Sequence, residues 1–199
     1  MKRIGLFLIV AIALMLSGSA MAQNVGDSTY YFVTYYANNV SGAPDGTLRI
    51  INDGSGYYPE DQPGIPLWAA IYVFDDSQEL QACGACEITP DGILSEDVKT
   101  ELTNNTVTGR TPTRGVIKIL SNIYASATDV YVSPGLHGWA THIERATPTS
   151  GAYATTEAPL ADSNITETEG TALVELCYYA QQLGSGQGTI TCTPEDNDF

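Results

Sequence analysis

The stretch LWAAIYVFDDSQELQACGACEITPDGI, residues 67–93, decides the fold class of this chain. Leu67–Phe74 and Glu79–Cys83 are rich in apolar, β-branched and aromatic residues, and the turn signal Asp75-Asp76-Ser77 separates them. This pattern predicts two strands joined by a short connection. Because no helical segment lies between them, the two strands are expected to pair in an antiparallel sheet.

Similar segments, separated by Gly, Pro, Asn and Asp, continue on both sides of that stretch as far as about residue 160. Many short strands without long intervening helices predict a mainly β fold, an immunoglobulin-like antiparallel β-sandwich. One short helix, around Glu96–Leu102 and begun by Ser95, is expected within it. The other predicted strands are Thr29–Ala37, Gly46–Asn52, Gly115–Leu120, Asp129–Val132, Gly138–Glu144 and Tyr153–Glu157.

The hydrophobic period changes near the C-terminus. Thr166 and Glu169 form a capping box, and apolar residues then recur at helical spacing. These features predict one C-terminal α-helix from about Glu167 to Leu183, ended by Gly184 in a left-handed conformation. Thr189–Cys192 is predicted to return along this helix.

The first 22 residues, MKRIGLFLIVAIALMLSGSAMA, have the pattern of an export signal. Lys2 and Arg3 precede the apolar run Ile4–Leu16, and Ala20-Met21-Ala22 provides a cleavage site. The run is too short to span a bilayer comfortably, and no later stretch is long and apolar enough to do so. We therefore expect a secreted protein, extracellular or at the cell surface, with no membrane span in the mature chain.

The chain is accordingly divided into four regions. Residues 1–22 form the signal peptide and 23–45 the N-terminal aromatic strand and its linker. The β-sandwich occupies 46–160, and 161–199 contain the C-terminal helix, the return strand and an acidic tail.

The charge of the chain is strongly one-sided. After signal removal, 6 basic residues remain against 23 acidic ones. Such a field repels phosphate backbones, so nucleic-acid binding is not expected.

Four cysteines in an exported chain indicate two disulfides and allow three connectivities. The local pairs Cys83–Cys86 and Cys177–Cys192 are preferred, and the two crossed alternatives stay open. A thioredoxin-type CxxC site needs a helix N-terminus to lower the thiol pKa. Because the residues after Cys86 predict strand and turn, we expect the bridges to be structural.

The stretch just after the signal, Thr29–Ala37, is apolar on both faces. One face presents Tyr30, Phe32 and Tyr36, and the other presents Tyr31, Val33 and Tyr35. A strand with one wet face would alternate apolar and polar residues, so this one needs cover on both sides. Its own sandwich or the C-terminal helix could supply that cover. Alternatively, the strand is donated to a neighbouring subunit, with Asn38–Asp45 as linker, and builds a filament by β-augmentation.

No catalytic, cofactor-binding or metal-binding residues are predicted. His137 and His142 are five residues apart and face opposite sides of a strand, and no GxSxG elbow exists. Carboxylates are abundant but lack the spacing of a calcium loop, so calcium is expected only as an adventitious ion. The turn carboxylates concerned are Asp53, Asp75, Asp76 and Asp91.

Several strings in the chain resemble an uncharacterised family of exported, β-rich acidobacterial proteins. They are GTLRIINDGS at 46–55, the 67–93 stretch, RGVIKIL at 114–120, GWATHIE at 138–144 and the LC…LGSG ending. The resemblance covers most of the mature chain and implies an exported location and a β-rich fold. It implies no activity.

Two functions follow as expectations. The first is a non-enzymatic extracellular structural or adhesive protein that self-associates, a filament subunit joined by N-terminal strand donation. Eight of its twelve tyrosines stand in adjacent pairs, which supports this interpretation. The second is a monomeric secreted carbohydrate-binding module, in which Trp68, Trp139 or Tyr57-Tyr58 would stack on sugar rings.

Overall fold

The computed structural model describes residues 30–37, 42–58, 62–145 and 152–192. The predicted signal peptide, the first half of the predicted linker and the acidic tail lie outside these residues. Among the residues described, no helix is long and apolar enough to cross a membrane.

The described residues form two packed antiparallel sheets and one α-helix, which confirms the predicted β-sandwich with a C-terminal helix. Sheet A has the strand order β11-β1-β8-β5-β6, and sheet B has the order β10-β9-β2-β7. A two-stranded β3–β4 ribbon lies outside both sheets. The strands are β1 Tyr31–Ala37, β2 Thr47–Asn52, β3 Tyr57–Tyr58, β4 Gln62–Pro63, β5 Leu67–Asp75, β6 Leu80–Ile88, β7 Ile93–Asp97, β8 Arg114–Asn122, β9 Leu136–Arg145, β10 Tyr153–Pro159 and β11 Ala161–Asp162.

The stretch 67–93 forms β5 and the edge strand β6 of sheet A, so the two strands expected there are present. β5 pairs with β6 along its whole length and with β8 on its other side, and a β-bulge lies between Val73 and Phe74. β5 is buried on both faces because the core between the sheets covers one and helix α1, Glu167–Gln182, covers the other. This explains its nearly continuous apolar sequence.

Three of the strand and helix assignments within the sandwich are wrong. Asp129–Val132 is a loop in which only Val132 makes an isolated bridge, because the side chain of Asn122 binds the loop backbone. The helix at Glu96–Leu102 is instead the end of β7 followed by a π-helical turn, Val98–Leu102, because β2 pairs with β7 as far as Asp97. β6 continues to Ile88 rather than ending at Cys83, since β5 pairs with it over that length.

Helix α1 agrees with its prediction. The Thr166 side chain accepts a hydrogen bond from the backbone N–H of Glu169, as a capping box requires. Leu173, Cys177 and Ala180 are buried beneath it against the outer face of sheet A. Gly184 follows the helix with φ +70°.

The segment after α1 does not return along the helix as predicted. It runs along the β6 edge of sheet A, where Thr189 makes a parallel bridge with Cys83. The N–H of Cys83 donates to Gly188 O at 2.8 Å, and the N–H of Ile190 donates to Cys83 O at 2.9 Å. An exposed strand edge has unpaired backbone groups, and this segment satisfies them.

Candidate functional site

The two disulfides are crossed, Cys83–Cys177 and Cys86–Cys192, so the preferred local pairing is wrong. Cys83 and Cys86 both lie on β6, three residues apart, and their side chains therefore point to opposite faces of sheet A. Cys83 meets the helix on the outer face, whereas Cys86 meets the C-terminal segment in the core between the sheets. In an extended strand the Cα atoms of these residues are too far apart to be bridged.

All four cysteines are bonded, which confirms that the chain forms two disulfides. Each bridge ties a part of the chain after residue 170 to the same strand, over sequence separations of 94 and 106 residues. Disulfides of this kind indicate an oxidising, extracellular environment.

The predicted assembly strand is β1, and it lies in sheet A of its own chain. Phe32 and Tyr36 enter the core between the sheets, and Tyr31 and Val33 pack in the cluster beneath α1. Both faces are thus covered in the first part of the strand, whereas Tyr35 near its end is exposed. Tyr30, just before the strand, is 40% exposed.

Two buried tyrosines of β1 are anchored through their hydroxyl groups. Tyr31 Oη donates to Glu169 Oε1 at 2.6 Å, and Tyr36 Oη donates to the Phe74 carbonyl at 3.1 Å. Burial is the largest cause that raises the pKa of both phenols, and the Glu169 contact adds to it at Tyr31. The strand therefore combines apolar burial with specific hydrogen bonds.

The two edges of β1 differ. β8 pairs with all seven of its residues, from Tyr31↔Leu120 to Ala37↔Arg114. On the other side β11 pairs only with Phe32 and Val33. Beyond β11, Tyr35 is 47% exposed, its ring stacks on His142 at 4.0 Å, and its hydroxyl donates to Glu144 at 3.1 Å.

The two histidines lie on opposite faces of β9, as predicted, and form no common site. His142 is buried beside Tyr35, and burial lowers the pKa of its imidazole. His137 is exposed, and its Nε2 lies 2.8 Å from Asp53 Oδ2. Burial raises the pKa of Asp53, but hydrogen bonds from Ser55 and His137 outweigh that effect and hold it below its ordinary value.

The outer face of sheet B carries an exposed Trp139. In the register of the sheet, Trp139 lies opposite Arg49 on one side and Pro159 on the other. Arg49 forms an ion pair with Glu157 at 2.9 Å. Trp139 is 37% exposed, so an indole surface and a pair of charged side chains share this face.

The other aromatic residues proposed as sugar platforms are less informative. Trp68 on β5 is partly buried. The side chains of Tyr57 and Tyr58 lie outside the described part of the structure. Of the two candidates whose side chains are described, Trp139 is the more exposed.

The turn carboxylates are mostly occupied by local contacts. Asp75 accepts hydrogen bonds from the backbone of Ser77 and Glu79 and from the Gln81 side chain. Asp76 pairs with Arg114. The contacts of Asp75 stabilise its own turn, whereas the ion pair of Asp76 links that turn to β8.

Sequence reasoning did not single out Glu96, which is only 1% exposed and points into the core from β7. Within the described residues, the only group of three candidate metal-ligating side chains consists of Cys86, Glu96 and Cys192, with one ligand atom from each within 4.8 Å of the others. The two cysteines are joined as a disulfide. The inward position of Glu96 depends on the register of β7, whereas the sequence pattern predicts the start of a helix at Glu96.

Comparison with family models, with curated proteins and with solved structures found no match for this chain. The resemblance to exported acidobacterial proteins therefore stays a prediction.

Proposed function

We propose that this chain is a non-enzymatic, exported structural or adhesive protein of the cell surface that self-associates. Its subunits join by donation of the N-terminal strand β1, and the product is a filament. The secreted location rests on the signal sequence together with the two disulfides.

The position of β1 is the observation that carries this proposal. The strand lies near the start of the mature chain, pairs with β8 over seven residues, and supplies three aromatic side chains that are each at most 3% exposed. A strand from another chain with the same sequence could make the same ladder and the same core contacts. In the proposed filament the β1 of one subunit fills this place in the next.

The connection to β2 permits such an exchange. Asp45, near its end, accepts hydrogen bonds from the backbone N–H groups of Lys99 and Thr100 at 2.8 and 3.1 Å. Asp45 thus fixes the chain just before β2, at the end of the proposed linker Asn38–Asp45. Exchange of an identical element between subunits is a low-cost route to association, and head-to-tail exchange does not close on itself.

Deletion of Gln23–Asn38 tests the proposal. The truncated protein should no longer assemble, because it has no β1 strand to donate. The place beside β8 in the neighbouring subunit then stays empty. Deletion of the opposite terminus, residues 193–199, serves as the matched control and should leave assembly intact. Multimers of unchanged size after the N-terminal deletion, measured by light scattering and electron microscopy, would show that strand donation is wrong.

A second candidate function is carbohydrate binding on the outer face of sheet B. The exposed Trp139 favours it, because an indole can stack on a sugar ring while the neighbouring Arg49 and Glu157 bond hydroxyl groups. An adhesive surface protein would use such a face to bind glycans.

Trp139→Ala tests this second function on a glycan array. We expect the substitution to abolish binding while the fold is retained. Tyr179→Ala is the control, since Tyr179 is 65% exposed on helix α1, away from sheet B. A folded wild-type protein that binds no glycan would contradict the assignment.

A further inference from the structure

The position of Glu96 in the core needs an explanation. Inward positions of β7 alternate with outward ones, and the preceding inward residue, Leu94, is fully buried. Leu48 lies opposite Glu96 on β2 and is also fully buried. Glutamate is rarely fully buried in a protein core, so Glu96 differs in kind from its neighbours.

The nearest reactive group is the Cys86–Cys192 disulfide. A carboxyl oxygen of Glu96 and the two Sγ atoms all lie within 4.8 Å of one another. Cys86 is fully buried, whereas Cys192 is only partly buried, so Cys192 is the more accessible residue of the pair.

The second disulfide provides an internal comparison. Cys83 and Cys177 are both fully buried beneath α1. In the described part of the chain, no His, Asp or Glu completes a similar cluster with this pair. The two bridges thus start from the same strand but differ in access and in the presence of a carboxyl group.

We propose that Cys86–Cys192 is an exchangeable disulfide, that its reactant is an external dithiol, and that Glu96 gives and takes the proton of the Cys86 sulfur. The attacking thiolate forms an S–S bond with Cys192 Sγ while the Cys192–Cys86 bond breaks. The electron pair leaves on Cys86 Sγ, and the Glu96 carboxyl group donates its proton to that sulfur.

The second thiol of the reductant completes the reaction. It attacks the mixed disulfide, so that Cys192 leaves as a thiol and the dithiol is oxidised by two electrons to its cyclic disulfide. The two protons lost by the dithiol end on Cys192 and, through Glu96, on Cys86. Oxidation of the protein follows the same path in reverse, with the Glu96 carboxylate accepting the Cys86 proton.

Electrostatics explains why the carboxyl group suits this role. A thiolate and a carboxylate cannot both be charged side by side in a buried site without a large energetic cost, so one proton is shared between them. Protonation of the leaving sulfur lowers the barrier to bond cleavage. Reduction then removes the covalent tie between β6 and the segment that ends at Cys192.

The test measures the reduction of each disulfide separately in the full mature chain. The protein is incubated with dithiothreitol, quenched by alkylation at timed intervals and analysed by mass spectrometry. In the wild type, Cys86–Cys192 should be reduced faster than Cys83–Cys177. Equal rates, or the reverse order, would overturn the proposal.

The Glu96→Gln variant distinguishes proton transfer by Glu96 from a mere difference in the access of the reductant to the two disulfides. It should slow reduction of Cys86–Cys192 about 100-fold, the usual size of a general acid contribution, and leave the Cys83–Cys177 rate unchanged. The ratio of the wild-type rate of Cys86–Cys192 reduction to the Glu96→Gln rate should also increase as the pH falls. Glu96→Asp should restore part of the wild-type rate. An unchanged rate at Cys86–Cys192 would refute the role of Glu96, and so would an equal change at both bridges, which indicates global unfolding.

Discussion

Single buried polar side chains fix the loops of this sandwich. Asn122, at the end of β8, is fully buried, and its Nδ2 group donates to the carbonyls of Ser126 and Asp129. Its Oδ1 accepts from the backbone N–H of Tyr131 at 2.8 Å. One amide thus replaces the sheet hydrogen bonds that the loop between β8 and β9 lacks.

Asn122→Ala should therefore destabilise the protein strongly. The change leaves several buried backbone groups without partners, and we expect the free energy of unfolding to fall by about 3 kcal/mol. Urea denaturation measures this. Asn104→Ala is the control, because Asn104 is exposed and makes one bond to Thr100, so its loss should cost less than about 0.5 kcal/mol. Equal effects of the two substitutions would contradict the role assigned to Asn122.

Glu169 should make the stability depend on pH. Hydrogen bonds from Lys118 and from Tyr31 lower the pKa of its carboxyl group below the ordinary value, although burial opposes them. The folded state then binds fewer protons than the unfolded state, so this contribution is full above the ordinary pKa and disappears as the pH falls through the folded value.

Thermal melts of Glu169→Gln against wild type between about pH 7 and pH 3 check this sign. The melting temperature of Glu169→Gln should lie furthest below that of the wild type near neutral pH, and this difference should shrink in acid. Glu167→Gln, which removes an exposed carboxylate from the same first helical turn, should show a smaller deficit at neutral pH. A Glu169→Gln deficit that grows in acid would show that the carboxylate does not stabilise the fold in this way.

Among the secondary-structure elements, most strands and the α-helix could be predicted from the sequence, but some of their first and last residues could not. The Thr166 cap and the Gly184 stop are local signals, so the limits of α1 could be predicted to within one residue. The length of β6 depends on pairing with β5, which no local signal reports. The disulfide partners follow from that length, because only a strand that continues past Cys83 separates the two cysteines onto opposite faces. The wrong prediction of the disulfide partners therefore has the same cause as the prediction that the strand ends at Cys83.

The C-terminal segment requires a glycine at position 84 of β6. A Cβ atom there would lie 2.7 Å from the Ile190 carbonyl oxygen and 2.8 Å from the Ile190 Cβ. Gly84→Ala should push this segment off the strand edge and cost about 2 kcal/mol, as overpacking of a core does. Differential scanning calorimetry measures the loss.

Gly170→Ala on helix α1 is the matched control. Its Cβ would meet Ile165 at an ordinary contact distance of 3.5 Å, so the substitution should be neutral or stabilise by up to about 1 kcal/mol. If Gly84→Ala were tolerated as well as Gly170→Ala, the close packing of the segment against β6 would be disproved.

For the molecule as a whole, composition and strand pattern were sufficient to predict a sandwich. They could not predict the strand order, since β1 pairs with β8, a strand about 80 residues later in the chain. Trp139 is exposed because no other element among the described residues covers the outer face of sheet B, which only the assembled fold shows. Candidate sites on sheet faces were therefore harder to predict than the fold class.

In the proposed filament, β1 of one subunit pairs with β8 of the next subunit. Ala37 and Arg114 face each other at the end of the β1–β8 ladder. The Tyr30–Ser121 pair is hydrogen-bonded, so Ala37–Arg114, seven positions along, is a closely spaced pair without hydrogen bonds. Cysteines at both positions can form a disulfide, and the exposed Arg114–Asp76 ion pair lost thereby is worth little.

Strand donation is tested without ambiguity by non-reducing gel electrophoresis of assembled Ala37→Cys/Arg114→Cys protein. We expect a ladder of covalent multimers, because the cysteine introduced into β1 of each subunit meets the cysteine introduced into β8 of its neighbour. Monomers in which the two introduced cysteines are bridged within one chain, whether or not the protein had assembled, would refute strand donation.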